Sequence, residues 1–355
     1  MSAATNAVSP ENGKYAISGR IGHLQQLRAI AALMVVLEHA KLPHYPSSIR
    51  DGFGTLGVDL FFVISGFVIY WVTRRETSFR RYLLRRIIRI APLYWMLTLL
   101  MAATVLLVPQ LFKQTVFDVA HFLQSLAFVP AFNPSRPNEI QPLLTPGWTL
   151  NYEMFFYLAF GIVFFLCARM PSRLYLLAAL FLALVIAGQV FAPTTAVGLA
   201  YTSPRLLEFL VGIWIGVWIN RGTAEPGRPG AFALLLAGWL CLLFEPLLFG
   251  WGALLGAGMV VLGAVALERV QRIRNRAMEF LGDASYSIYL THVLVLGALR
   301  YIWLRMPALN GMPFEPVAFM LVGIVVSACV GSLAYIVLER PVVNFLNRKL
   351  DTSAA

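Results

Sequence analysis

Charge is scarce in this 355-residue sequence. Asp, Glu, Lys and Arg together make up 13% of it, against about a quarter in an ordinary soluble domain. Hydrophobic residues reach 59% and the mean hydropathy is +0.73. So little charge cannot cover a soluble surface, so the bilayer must be the solvent. Cysteine is scarce as well. Cys167, Cys241 and Cys329 are odd in number, lack CxxC spacing and lie in or at the ends of apolar segments. They read as core thiols, which excludes a disulfide framework or a thiolate metal site. HExxH, Walker A and GxSxG are all missing, so no zinc-hydrolase, P-loop or soluble esterase chemistry is expected. No metal and no bound cofactor are expected either. Internal repeats are absent, which gives no support to an inverted-repeat transporter. No cleavable signal peptide is evident, and the first apolar run reads as a retained helix.

Apolar segments, by contrast, recur along the whole chain. A membrane-spanning helix needs about 20 mostly apolar residues. Ten candidates lie near 24–40, 53–73, 90–108, 147–167, 174–192, 204–220, 231–249, 251–267, 281–303 and 315–338. The stretch 116–130 is apolar but holds Asp118 and His121, and it reads as an interfacial helix. The expected fold is therefore an all-α, polytopic bundle of about ten transmembrane helices. It comprises a flexible cytoplasmic tail over 1–23, a membrane domain over 24–340 and a cytoplasmic tail over 341–355. The net charge of +11 is explained by orientation, so no nucleic-acid partner is implied. With both termini in the cytoplasm, inside segments hold 20 Lys and Arg and outside segments six, a strong positive-inside bias. Small-xxx-small pairs such as Gly212/Gly216 and Gly252/Gly256 point to helix packing.

Ionisable residues inside a membrane are costly and default to functional hypotheses. Arg28 and His39 are eleven residues apart in the first segment. That spacing puts them on one stripe, about 20° off the same face and about 16 Å apart along the axis. A snorkelling Arg and an interfacial His are the plain alternative. Asp59 in the second segment, Glu153 in the fourth and Glu208 in the sixth fall at a similar outer depth to His39. Together they suggest one buried polar pocket, or alternatively ion pairs that hold helices together. On the inner side seven arginines crowd residues 74–89, and Arg86 and Arg89 at i, i+3 share a face. They suit bidentate phosphate binding, or else anionic lipid headgroups. Ser285, Tyr289 and His292 form a further i, i+4, i+7 stripe, which could equally be interhelical hydrogen bonding. His23, His44 and His121 lie at tails or loops.

Five of these features recur in order in a known family. They are Arg28-x10-His39, Gly57-Val-Asp59-Leu-Phe-Phe-Val-Ile-Ser65-Gly66-Phe67, Arg86-x-x-Arg89 before Pro92, Trp148-Thr-Leu-x-x-Glu153, and Ser285-Tyr286-Ser287-Ile-Tyr289-Leu-x-His292. The chain resembles the bacterial integral membrane acyltransferases of acyltransferase family 3. The resemblance runs from Leu27-Arg28-Ala29 to Glu339-Arg340-Pro341. Leu24 to Leu33 and Gly147-Trp148-Thr149-Leu150-Asn151-Tyr152-Glu153 look most like its exopolysaccharide branch.

That resemblance implies a multi-pass protein of the bacterial inner membrane. It implies transfer of an acyl group, commonly acetyl, from cytoplasmic acyl-CoA as co-substrate to a hydroxyl of a carbohydrate acceptor, free or lipid-linked. Polysaccharide-assembly proteins are further expected partners. It points to His39 as the catalytic histidine, Arg28 as a donor-binding partner, and Asp59, Arg86, Arg89 and Glu153 as required. Ser65, Trp148, Asn151, Glu208, Ser285, Tyr289 and His292 join the expected binding set. A sugar hydroxyl needs a general base, and imidazole suits that task; Glu153 or Asp59 is expected to orient it. Glu38 departs from the family pattern and is expected to act on His39. No esterase-like domain is appended, so the membrane domain would act alone. The competing function is a transporter or flippase for a lipid-linked sugar or organic acid, since intramembrane His and carboxylates also relay protons.

Overall fold

With no water in the hydrocarbon layer, each spanning segment must satisfy its own backbone groups, and helices do so. The computed structural model describes residues 21–42, 52–74, 76–108, 115–167, 172–222, 226–248, 251–271 and 273–352, apart from positions 308, 310 and 312. Fourteen α-helices run through them. They are α1 (Gly22–His39), α2 (Phe53–Thr73), α3 (Phe79–Leu107), α4 (Val119–Leu126), α5 (Trp148–Gly161), α6 (Arg173–Phe191), α7 (Ala196–Tyr201) and α8 (Leu206–Asn220), followed by α9 (Arg228–Leu243), α10 (Trp251–Val270), α11 (Arg276–Asp283), α12 (Ser285–Trp303), α13 (Glu315–Ala334) and α14 (Arg340–Thr352). Among the described residues the sheet content is one short hairpin, β1 (Phe132–Asn133) paired antiparallel with β2 (Arg136–Ile140).

Each of the ten apolar segments is helical. Seven helical stretches are long and apolar enough to cross a membrane: 53–73, 79–107, 145–166, 173–191, 196–220, 251–270 and 315–352. α9 is apolar but has only 16 residues. α1 and α12, which carry His39 and His292, are not among the seven. The polar groups that mark them out also lower their hydropathy. α4 has eight residues, about 12 Å, too short to cross. Asp118 caps it, accepting from the His121 N–H at 2.7 Å. His121 itself is tied to the Gln141 carbonyl at 2.9 Å.

Two boundaries differ from expectation. α3 begins at Phe79, well before the apolar run from 90, because Leu and Ile alternate with the arginines at helical spacing. Ser78 caps it, accepting from the Arg81 N–H at 3.3 Å. The arginine cluster therefore lies on a rigid helix. The stretch beyond 340 also forms a helix, α14, which packs on α3. Residues 1–20, most of the expected first tail, and His44 lie outside the described residues.

α2 is the central element, packed against α1, α8 and α10. Its glycines allow close approach. A Cβ on Gly66 would stand 2.0 Å from the Phe209 carbonyl oxygen, and one on Gly212 2.0 Å from that of Val63. Gly57 meets the Ala31 oxygen at 2.5 Å in the same way. Gly216 faces the Tyr70 ring, and Gly256 faces Gly238 across α9 and α10. The small-residue spacing thus marks real helix crossings. Gly212→Ala should lower stability by about 1–3 kcal/mol through overpacking. Thermal unfolding in detergent checks this, and an unchanged Tm would contradict so close a crossing. Aromatic side chains of α3, α5 and α8, including Tyr94, Phe156, Phe160 and Phe209, fill the largest core. Leucines, valines and phenylalanines of α6 and α13 remain exposed, as lipid-facing surfaces should.

Candidate functional site

A cavity of about 520 Å³ lies between α1, α2, α3, α5, α12 and α14. Arg28, Arg85, Arg86 and Arg89 are among its lining residues. Val58, Phe61, Phe62, Thr149 and Tyr289 line it as well. Ser65, Glu153, Tyr157, Ser285 and Tyr286 supply further polar atoms. The helix geometry of α3 puts Arg85, Arg86 and Arg89 on the cavity side, within about one turn of each other. Arg89 is anchored from behind. It pairs with Glu339, which also accepts from Ser287 Oγ. Glu339 ends a π-helical segment, Tyr335–Glu339, between α13 and α14. The extra residue of a π-turn rotates the side chains at its end relative to a regular α-helix, here a carboxylate that is only 2% exposed. The Arg89 guanidinium lies 5.3 Å from the centre of the Tyr286 ring, whose hydroxyl donates to the Ile90 carbonyl at 2.6 Å.

Glu153 faces this cavity. It accepts from Ser65 Oγ at 2.9 Å and from the Tyr157 hydroxyl. The Tyr289 hydroxyl is 3.0 Å from Thr149 Oγ1 and donates to the Pro146 carbonyl at 3.0 Å. Ser285 Oγ is fully buried and has no hydrogen-bond partner among the described residues.

His39 lies outside the cavity lining, at the exposed end of α1. Its ring centre is 4.9 Å from that of His292, and His292 is 5.8 Å from Tyr289, which does line the cavity. The His39 Nδ1 is 2.8 Å from the Val35 carbonyl oxygen. A carbonyl only accepts, so Nδ1 carries the proton and Nε2 keeps the lone pair. His292 repeats this arrangement on the Tyr289 carbonyl, leaving a buried Nε2 without a partner among the described residues. Arg300 donates to the His39 carbonyl at 3.2 Å and ties α12 to the end of α1.

The single outer pocket expected around His39, Asp59, Glu153 and Glu208 is not formed. The four groups separate into three places. Asp59 accepts from Arg205 at 2.7 Å and lines a second cavity, of about 340 Å³, with Arg205, Glu208 and Glu245. Glu208 is 5% exposed. The reason lies in α2. Six residues, about 240° of helix rotation, separate Asp59 from Ser65, so the two face different neighbours. Neither Glu153 nor Asp59 orients the His39 ring; the Val35 carbonyl does. Glu38 also turns away, toward Lys41 at 2.9 Å and the Gly54 N–H at 3.4 Å. Trp148 packs outside the main cavity, 5.2 Å from the Arg205 guanidinium. Asn151 is buried there without a partner for its Oδ1 among the described residues.

The family model described as an acyltransferase domain matches residues 21–336. This chain belongs to acyltransferase family 3. It is 40% identical over 299 residues to the exopolysaccharide production protein ExoZ of Rhizobium meliloti, covering 81% of this chain and 89% of that one. It is 26% identical over 377 residues to the acyltransferase MdmB of Streptomyces mycarofaciens, covering 95% of each. The peptidoglycan O-acetyltransferase OatA of Listeria monocytogenes is 25% identical over 317 residues, which span 76% of this chain and 48% of OatA. No solved structure matches. The protein is therefore a multi-pass membrane acyltransferase that moves groups other than aminoacyl groups.

In this family 3 acyltransferase the cavity gathers Arg28, Ser65, Arg86, Arg89, Glu153, Ser285 and Tyr289 from five separate motifs. It adds residues that the motifs did not single out: Arg85, Tyr157 and Asp351 in the lining, and Glu339 behind it. Tyr157 lies one turn after Glu153, a spacing that could have been read from the sequence. Glu339 is separated from Arg89 by 250 residues, and no local spacing signals the pairing.

Proposed function

We propose that the protein transfers an acyl group, commonly acetyl, from acyl-CoA to a hydroxyl of a cell-surface or exopolysaccharide carbohydrate. One observation carries the reading: a single cavity is lined by four arginines, by a polar group around Glu153 and by Tyr289, whose ring neighbours His292 and through it His39. The arginines suit the phosphates of CoA. The names of ExoZ and OatA attach exopolysaccharide and peptidoglycan to relatives, which supports a carbohydrate acceptor. The proposed setting is the bacterial inner membrane, crossed ten times, with both termini cytoplasmic. The excess of Lys and Arg on one side supports that topology.

In the proposed reaction the acceptor hydroxyl attacks the thioester carbonyl as its proton passes to His39 Nε2. The tetrahedral adduct then collapses, the C–S bond breaks, and the thiolate takes the proton back from the imidazolium. Ester and free CoA result, with no bound cofactor or metal needed. Asp59, Arg205 and Glu208 form a separate polar cluster across α2, suited to holding the acceptor away from the reacting hydroxyl.

Proton NMR of surface polysaccharide tests the reading. The ester-linked acyl signal should vanish in a deletion strain and return with the wild-type gene. Unchanged ester content together with lost polysaccharide export would favour the transporter instead.

A further inference from the structure

Val343, Asn347 and Asp351 recur every four residues on α14, and all three line the arginine cavity. That spacing gives one helix face. The face ends in a carboxylate that contacts two arginines of α3. Asp351 Oδ1 is 2.6 Å from Arg81 Nη2 and 3.0 Å from Arg85 Nη2. The other carboxylate near this pair is Glu76, 4.0 Å from Arg81 Nε.

The placement of Asp351 is poorly explained by stability. It lies in the last turn of α14, where the helix dipole disfavours a negative charge. Its side chain is 49% exposed, and those of Arg81 and Arg85 are 35% and 38% exposed. Exposed ion pairs of this kind contribute little. Their geometry is, however, that of an arginine pair gripping an oxyanion.

The arginines on the cavity form two sets along α3. Arg86 and Arg89 line the cavity together with Arg28 of α1, whereas Arg81, one turn before Arg85 and outside the lining, shares Asp351 with Arg85. Arg85 is about one helical turn, ~6 Å, from Arg89. Acyl-CoA likewise carries two separate anionic groups, a pyrophosphate and a 3′-phosphomonoester. We infer that Arg81 and Arg85 form a phosphomonoester site for the donor's 3′-phosphate, and that Asp351 holds that site until the donor displaces it. This rests on the acyl-CoA reading above. The carboxylate makes the site selective, because only an anion that binds the pair better than a single carboxylate can enter. A phosphomonoester, with three oxygens and close to two charges, does so.

The test is equilibrium binding of radiolabelled acetyl-CoA to the full-length protein in zwitterionic nanodiscs, competed by CoA or by 3′-dephospho-CoA. In wild type CoA should compete about tenfold better than dephospho-CoA. Asp351→Asn should tighten CoA by about threefold and leave dephospho-CoA unchanged. Arg85→Gln should bring the two competitors within about twofold of each other. Equal competition in wild type, or no gain with Asp351→Asn, would overturn the inference while leaving the donor reading intact. A lipid phosphate could use the same chemistry, so a second set of nanodiscs contains phosphatidate. If phosphatidate erases the preference for CoA in wild type, the site belongs to lipid and the inference fails. Absence of any saturable acetyl-CoA binding would remove the donor reading and this inference together.

Discussion

His39→Ala is expected to lower kcat by about a thousandfold, within the usual range for loss of a general base. KM for acetyl-CoA should stay within about twofold, because His39 contributes nothing to the cavity lining. The split between the two constants is what identifies its role. A residue that held the donor would raise KM, and one that held the helices together would lower the amount of folded protein. The tautomer sharpens the expectation. With Nδ1–H committed to the Val35 carbonyl, only Nε2 is free to take a proton, and its exposed position at the end of α1 suits an acceptor arriving from that side. Radiolabelled acetyl-CoA supplied without acceptor should leave no label on the protein if, as proposed, the hydroxyl attacks the thioester directly. Label retained on wild type and lost with His39→Ala would instead establish an acyl-histidine. Normal transfer rates in His39→Ala would remove His39 from the mechanism.

Helix positions, crossing glycines and the paired arginines of α3 were legible because each is a local pattern. Arg86 and Arg89 do line one cavity, as their spacing predicts. Gly212 and Gly256 do stand at helix crossings. The azimuth of the intramembrane polar residues was not legible. Asp59, Glu153, Glu208 and His39, expected in one pocket, face different neighbours, since which helices adjoin α2 depends on packing far apart in sequence. Partners from distant segments were hidden for the same reason: Arg205 for Asp59, Ser65 for Glu153 and Glu339 for Arg89. The π-helical segment before Glu339 adds a register change that a 3.6-residue period cannot anticipate.

Arg89 illustrates why a motif residue needs two separate measurements. Its guanidinium lines the cavity and also neutralises Glu339, a carboxylate almost wholly buried. Arg89→Ala leaves that charge uncompensated, which typically costs about 3–5 kcal/mol. The single variant should therefore unfold at a much lower temperature in detergent, and its lost activity would say nothing about the donor. Arg89→Met combined with Glu339→Gln removes both charges. Ser287 can still donate to the new amide, and the Met side chain refills part of the space, so the Tm should return to near the wild-type value. Acetyl-CoA binding should not return, because one arginine of the proposed phosphate pair is still missing. Arg89→Lys should behave differently again: it keeps the charge opposite Glu339 but not the planar fork that a phosphate needs, so stability is retained while donor affinity falls by about tenfold. If the double variant recovered both its Tm and full acetyl-CoA binding, Arg89 would be a purely structural partner of Glu339. The phosphates of the proposed donor would then have to rest on Arg28, Arg81, Arg85 and Arg86.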